Sequence, residues 1–470
     1  MLFHQKQIND PVHGLIGLSK LEADIISSRS FQRLHNVKQL GLASLIFPSA
    51  NYSRFSHSVG ACHIAGRLME SIARNSGSKI DDQEVQAVRL AGLLHDIGHY
   101  PFSHTTEHAV RDFYANSLLT DGDEFGAENA GSAYGHEALG RKIFDLDDEL
   151  NEIFEAHEFD AARMKAIFSK EVPSKYVGLV SSDLDCDRLD YLSRTAHHAG
   201  LPYGRVDTNY IINQAIIDHN DEYCLTRKAL RAADHMLVSR YFDYTQVPYH
   251  KTVVGLEMLL EEVLRSLLEQ KIIDFSAANL ERLIKENRWS EIDDQWMIEK
   301  FREALTSADA DPALALNIES ILYRHPPSVI VGYEQITSRE YKPHFLSACQ
   351  QIEEKIDKWA EEFSVERYRW HFWKTDLKMT SMGSKISPFA GELDEYEKTQ
   401  IVKIQGADAR EPNKNKPIFE CERALTKTLL DFQFYAMRLY INGHGVENFE
   451  KTRSEIRLKI FADLPHFQFV

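Results

Sequence analysis

At 470 residues the chain is long enough for two or three ordinary domains or for one extended helical core. Hydrophobic residues at 43% and charged residues at 27% exclude wholesale disorder, and no segment approaches the ~18 uninterrupted apolar residues of a membrane span. A formal charge of −17 excludes a broad duplex-binding surface, which needs Lys and Arg to neutralise phosphates, and leaves room for a small anion in a local basic pocket.

The amino terminus has no basic stretch followed by an apolar run, so a cytoplasmic location is expected. The five cysteines, Cys62, Cys186, Cys224, Cys349 and Cys421, are scattered and never form CxxC, so reduced thiols are expected.

In chain order, Ser19-Lys20-Leu21-Glu22 predicts a capping box opening a helix, and SFQRLHNVKQLG predicts a second helix ending on Gly41. The turn-rich FPSANYSRFSH delivers His57 to the start of a further helix, SVGACHIAGRLMESIARN. Asp81-Asp82 opens EVQAVRLAGLLHD, whose apolar spacing predicts a buried helix with His95 and Asp96 at its end. Residues 100–135 read as an irregular excursion of the kind that borders sites. Helical patterns resume at HEALGRKIF, YVGLVSSDLDCDRLDYLSRTA, ALRAADHMLVSRYFDYTQV and GLEMLLEEVLRSLLEQ. From about residue 320, VIVGY and QIVKIQG predict strands, REPNKNKPIF an exposed loop, and ALTKTLLDFQFYAMRLY a final helix. WHFWK (370–374) reads either as core or as an aromatic interface anchor. The expected fold is mainly α, an all-helical core over 1–275 with a smaller α+β region over 276–470, which is oligomerising or regulatory by position alone.

The dipeptide His95-Asp96 says little by itself. Its setting, LAGLLHDIGHYPFSH, brings an apolar helix to a stop among several imidazoles, where a charged Asp needs a partner that a metal would supply. Here the chain resembles the HD-domain deoxynucleoside triphosphate triphosphohydrolases, the dGTPase-like family that includes vertebrate proteins combining a SAM with an HD domain. The resemblance runs over roughly residues 8–270. It rests on DPVHG (10–14), FQRLHNVKQLG (31–41), FPSANYSRFSHSVG (47–60), AGLLHDIGHYPFSH (91–104), HE (136–137), DCDRLDYLSRTAHHAG (185–200) and HK (250–251).

The resemblance implies an HD-domain core and a divalent metal held by His57, His95, Asp96 and Asp187. That donor set suits Fe, Mn, Co, Ni, Zn or Mg without choosing among them. It nominates His104 and His136 for proton transfer, with Glu107, where the family more often has Asp, tuning an imidazole. Arg54, Arg188, Arg240 and Lys251 are expected to grip phosphates, Tyr191 to lie beside the sugar, and Gln39 to meet the 3′-hydroxyl. Two departures, Thr195 in place of a sugar-contacting Asp and Pro248 within VPYHK, bear on base and sugar selectivity.

The implied activity is attack by a metal-activated water on the α-phosphorus of a dNTP, releasing deoxynucleoside and tripolyphosphate. The alternatives are hydrolysis of another nucleotide phosphoester (monophosphate, modified or signalling nucleotide) or a nucleotide sensor with little turnover. The resemblance also implies a homo-oligomer and a nucleotide activator, with neither membrane nor stable duplex nucleic acid as partner.

Overall fold

A computed structural model of the chain describes residues 5–77, 79–114, 118–119, 132–168, 174–307, 311–378, 400–408 and 410–465. It opens on a hairpin absent from the sequence reading, β1 (Lys6–Asp10) against β2 (Gly14–Leu18), with Ile8 opposite Ile16 and Gly14 in the left-handed region. The capping box then forms as expected and starts α1 (Lys20–Ile26): Glu22 N–H donates to Ser19 Oγ at 3.2 Å, and Ser19 N–H to Glu22 Oε2 at 2.9 Å. The next expected helix does not form. One turn at Arg29–Gln32 tightens over Arg33–Asn36, and the chain extends to Gly41, because the buried Arg33 guanidinium donates to the carbonyls of Ile292 and His99 and Lys38 N–H donates to Asp294.

Two long helices carry the centre of the molecule, α2 (Arg54–Ser76), closed by left-handed Gly77, and α3 (Asp82–Leu94), capped by Asp81. They pack against each other through Cys62, Ala65, Leu68, Leu90 and Leu93, all fully buried. Each large side chain of this kind contributes roughly 1.5–3 kcal/mol relative to exposure. The expected irregular excursion contains α4 (His104–Phe113), while its residues 115–117 and 120–131 lie outside the described residues. Next come α5 (His136–Leu146), α6 (Asp148–Ala156) and α7 (Cys186–Ala199), the last capped by Asp185 and ended by left-handed Gly200. The short strands β3 (Ala215–Ile217) and β4 (Tyr223–Thr226) precede α8 (Leu230–Gln246) and α9 (Lys251–Glu269).

Helices α10 (Ala277–Lys285), α11 (Asp294–Leu305) and α12 (Pro312–Leu322) put Leu280, Phe301 and Ile318 into the same core as the preceding helices, with Trp289 from the turn between α10 and α11, so the expected division at 275/276 falls inside one hydrophobic cluster. A second core begins with β5 (Ser328–Ser338) and includes α13 (Lys342–Glu353), α14 (Ile356–Phe363), β6 (Trp370–Lys378) and, later in the chain, β9 (Phe432–Ile441) and α15 (Phe449–Asp463). Its antiparallel sheet has the order β5-β9-β6. The final helix expected over ALTKTLLDFQFYAMRLY is therefore corrected: only Leu425–Leu429 is helical, and FQFYAMRLYI is the central strand, buried along nearly its whole length. A strand covered on both faces loses the alternation that would have marked it. Between β6 and β9, β7 (Lys403–Gln405) and β8 (Asn415–Pro417) extend β4 and β3 into a four-stranded sheet, β8-β7-β4-β3, which ties the late segment to the first core. No helix of the described residues is long and apolar enough to cross a membrane, and all five cysteines are buried free thiols.

Candidate metal and phosphate site

The first turn of α2, the end of α3 and the first turn of α7 meet at one point. His57 Nε2 lies 3.0 Å from Asp187 Oδ1, 3.6 Å from Asp96 Oδ2 and 3.3 Å from His95 Nε2, and His95 Nε2 lies 3.4 Å from Asp96 Oδ1. The outer nitrogens fix the tautomers. His57 Nδ1 donates to Asp190 Oδ2 at 2.8 Å, and His95 Nδ1 donates to the Gly92 carbonyl at 2.8 Å, which can only accept. Both Nε2 lone pairs therefore face two carboxylates in a buried space, an arrangement that repels itself unless positive charge enters. That is the donor chemistry of a divalent-metal site: His57, His95 and Asp96 offer ligand atoms within 4.8 Å of one another, and Asp187 Oδ1 stands beside both imidazoles. The same demand raises the histidines' proton affinity: burial opposes charge on His57, yet Asp187 and Asp190 push it up to about 10, and Asp96 and Asp187 likewise raise His95.

Asp190 went unassigned in the sequence. Fully buried, it accepts from His57, from His13 Nε2 at 2.6 Å, and from Arg194 Nε and Nη2 at 2.8 and 2.9 Å, while Arg194 Nη1 reaches Asp10 at 2.7 Å. The DPVHG and DCDRLDY motifs thus meet behind the metal ligands. Gly60 leaves room for this network, since a Cβ there would sit 2.0 Å from Asp190 Oδ1.

Beside the ligands, His99, His104 and His136 cluster. His99 Nε2 lies 3.2 Å from Asp96 Oδ1, and its ring stacks on His136 at 4.0 Å and 16°. The donor atoms of the three are close enough for an ion, but near-parallel stacked rings aim their in-plane lone pairs poorly at a shared centre, and the arrangement suits proton transfer better. Glu107, from α4, accepts both His136 Nδ1–H at 2.8 Å and the His136 backbone N–H at 3.1 Å, so it caps α5 while orienting the ring. Against burial, Glu107 raises the proton affinity of His136; His104 Nδ1 lies 3.3 Å from the same carboxylate on a largely exposed ring.

Backbone strain sits between the HD pair and His104. Phe102 and Ser103 have φ of +54° and +59°, both unfavourable for residues with a Cβ. Phe102 N–H donates to Asp294 Oδ1 at 2.8 Å and Lys38 N–H to Asp294 Oδ2 at 3.0 Å, while Ser103 Oγ accepts from Arg54 Nε at 2.9 Å. Asp294, on α11, thus holds the turn from beyond the expected boundary, and nothing in the sequence marked it.

A cavity of about 660 Å³ opens over the site. Gln39, Arg54, His95, Asp96, His104, His136, Asp187, Arg188, Tyr191 and Arg240 line it, while His57 is buried beneath His95 and Asp187, and Glu107 lies behind His136. Arg54 Nη1 donates to Asp96; Arg188 and Arg240 share Asp183 Oδ1 at 2.7 and 3.3 Å. Lys251 stands apart, exposed at the start of α9 with its carbonyl accepting from Tyr440 at 2.8 Å, and is not part of the wall. Asp243, also unassigned in the sequence, is on the wall; it accepts from Tyr203 at 2.5 Å, and burial pushes its carboxyl up to about 7.

The sequence and the fold have counterparts in known proteins. Residues 54–195 match the HD domain family, a span that holds all four proposed ligands. The chain contains an HD domain. An uncharacterized protein of Methanocaldococcus jannaschii is 32% identical over 275 residues, 57% of this chain and 51% of that protein. One of Bacillus subtilis is 32% identical over 266 residues, 56% of each chain. The deoxynucleoside triphosphate triphosphohydrolase SAMHD1 homolog of Dictyostelium discoideum is 30% identical over 271 residues, 55% of this chain and 48% of that protein. The matched region spans about half the length of these relatives. Among solved structures, a hypothetical protein of Aquifex aeolicus superposes with a TM-score of 0.67 at 25% identity, covering 96% of this chain and 99% of that one. A phosphohydrolase of Bacteroides thetaiotaomicron superposes with 0.66 at 23% identity, covering 93% and 99%, and shares the fold of the HD domain and the later region.

Proposed function

We propose that the chain hydrolyses deoxynucleoside triphosphates to deoxynucleoside and tripolyphosphate. The observation that carries this reading is a cavity lined together by three of the four proposed ligands (His95, Asp96 and Asp187), by the carboxylate-tuned His136 and by Arg54, Arg188 and Arg240. Similarity to the Dictyostelium protein named for this activity supports it.

His57, His95, Asp96 and Asp187 would hold a divalent ion, which when bound would acidify water and offset phosphate charge. Asp190 and the Gly92 carbonyl keep both ligand imidazoles in the tautomer that faces the ion. Glu107, accepting from Nδ1–H, raises the proton affinity of His136 and leaves Nε2 to deliver a proton to the departing 5′-oxygen. Asp183 aligns Arg188 and Arg240 along one side of the cavity, where guanidinium groups suit phosphate oxygens. Tyr191 and Gln39 face the nucleoside, and His104 is a second proton carrier on the same carboxylate as His136.

Incubating the purified chain with each dNTP, alone and mixed, across Mg, Mn, Fe, Co, Ni and Zn should release tripolyphosphate, and Asp96→Ala should release none. Wild-type protein that yields no tripolyphosphate under any combination overturns the reading. One observation favours a second reading, another nucleotide phosphoester as substrate: Thr195 is fully buried and shares a 2.8 Å hydrogen bond with Tyr52 rather than offering a sugar contact. Orthophosphate released from monophosphates, with dNTPs untouched, would establish it.

A further inference from the structure

Away from the metal ligands, the cavity wall changes character. Tyr249 and Trp373 face it with ring centroids 5.3 Å apart at 63°, and Val253, Val254 and Met258 of α9 line it beside them. Trp373 comes from β6 in the second core and is held by the Arg438 guanidinium 4.9 Å above its ring, while Arg438 Nη1 donates to the Tyr249 carbonyl at 2.8 Å. Among these apolar groups α9 brings the carboxyl of Glu257, facing Gly41, with Glu261 one turn further along the wall: a Cβ on Gly41 would lie 3.9 Å from Glu257 Oε1. Among the described residues Glu257 has no hydrogen-bond or ion-pair partner.

A carboxylate is a poor neighbour for a triphosphate, and an unpartnered one beside aromatic rings is costly unless a donor arrives from the ligand. Burial, with the Glu261 carboxylate one turn further along α9, pushes the Glu257 carboxyl up to about 8, so a ligand that brings donors to both of its oxygens is what holds it as the carboxylate near neutral pH. Flat rings and an acceptor pair are what a nucleobase needs, one for its face and one for its edge. Of the common bases, guanine alone presents two adjacent donors, N1–H and the N2 amino group, matching the two oxygens of a carboxylate. Thymine's single N–H is flanked by carbonyls that a carboxylate repels.

Resting on the proposed dNTP reading, we propose that Glu257 is a specificity residue that reads the N1–H and N2–H donor edge of guanine, with Trp373 offering the ring on which the base stacks and the inclined Tyr249 bordering it. Phosphates then lie toward Arg54, Arg188 and Arg240, and the base lies under the second core.

Hypoxanthine keeps N1–H and lacks the N2 amino group, so the comparison is dGTP against dITP for turnover, and deoxyguanosine against deoxyinosine for equilibrium binding by calorimetry. Wild type should favour the guanine member about 10- to 100-fold, the range for one hydrogen bond to a charged acceptor. Glu257→Gln should bring the ratio to within about threefold, and Glu257→Asp should leave an intermediate value. Trp373→Leu should weaken both nucleosides about tenfold with the ratio kept. A wild-type ratio near one, or a ratio unchanged in Glu257→Gln protein with wild-type circular dichroism, overturns the assignment. The two readings separate: Glu257-dependent preference in binding without dNTP hydrolysis sinks the activity and keeps the base reader, whereas tripolyphosphate release with a flat ratio does the reverse.

Discussion

Replacing Asp190 with Asn tests whether the network behind the ligands orients the metal site. In the wild type this carboxylate accepts four hydrogen bonds, from His57, His13 and two nitrogens of Arg194. An amide keeps the shape, but one of its two heteroatoms turns from acceptor to donor and the charge opposite Arg194 disappears. If the nitrogen faces His57, the ring must flip its tautomer and place N–H where the ion belongs; if the oxygen faces it, the ring keeps its tautomer but loses the charge that made Nε2 basic. Loss of such a supporting partner weakens metal binding about 10- to 100-fold, or ~1.4–2.7 kcal/mol. Competition calorimetry with Mn or Zn, and metal content after dialysis, measure this directly. Thermal melts in chelator separate it from the cost of leaving the buried Arg194 with only Asp10, which lowers stability with or without metal. Asp190→Asn protein with wild-type metal affinity and wild-type turnover would refute the account of tautomer control.

Three further outcomes follow from the geometry. Glu107→Gln removes the carboxylate that raises the proton affinity of His136, so the fall in kcat/KM at rising pH should begin at lower pH than in wild type; an unmoved basic limb would show that His136 is not the acid. Gly98→Ala drives a Cβ to 2.2 Å from the His136 carbonyl and 2.4 Å from Gly140 N, backbone that cannot move without shifting α5, so its melting temperature should fall well below that of Gly77→Ala, where nothing lies within 4 Å. Glu22→Gln leaves Arg89 unpaired in the core, where Nε and Nη2 now donate to Glu22 at 2.6 and 2.7 Å, and should cost ~3–5 kcal/mol in denaturant melts near neutral pH. Burial works to raise the Glu22 carboxyl, but Arg89 and its other donors hold it below 4.5, so its contribution is fully present above that pH and lost as pH falls through the lower folded value. The gap between variant and wild type should therefore narrow in acid, and a gap constant with pH would contradict the pairing.

Much of this could be read from the sequence, for physical reasons that also mark the limits. The meeting of the proposed ligands was legible because these residues sit at helix ends that local signals announce: Asp81 capping α3, the apolar run into His95, Asp185 capping α7. The longer helices before residue 270 were legible for the same reason, periodicity joined to caps, whereas the helix expected to end on Gly41 gave way to the contacts of Arg33 and Lys38. Asp190 was quoted within its motif and still missed, because its partners arrive from the hairpin loop and from α2, and no local pattern records that meeting. The hairpin, β3 and β4 are too short to alternate convincingly. Strand β9 reads as continuous apolar sequence because both its faces are covered, and period alone cannot separate such a strand from a buried helix. Trp370 settles into the second core while Trp373, three residues on, turns to the cavity, so WHFWK is partly core and partly site.

Asp294 joins the fold of the later helices to the chemistry of the earlier ones. Two consecutive residues in the left-handed region cost ~1–3 kcal/mol each, and that strain persists only where the surroundings enforce it. The enforcing group is one carboxylate, 1% exposed, accepting the Phe102 and Lys38 amides. Burial pushes this carboxyl up to about 6 although both amides stabilise its charge, so it is ionised and able to accept at neutral pH. Asp294→Ala strands two buried N–H groups, roughly 1–3 kcal/mol apiece, and frees the turn to relax toward ordinary φ. Ser103 would then move off Arg54, and His104 off Glu107, while His57, His95, Asp96 and Asp187 stand on other elements. The expected result is turnover reduced by at least tenfold with metal affinity close to wild type. Equal losses of both would mean that α11 supports the whole core, and unchanged turnover would mean that the strained turn has no part in the chemistry.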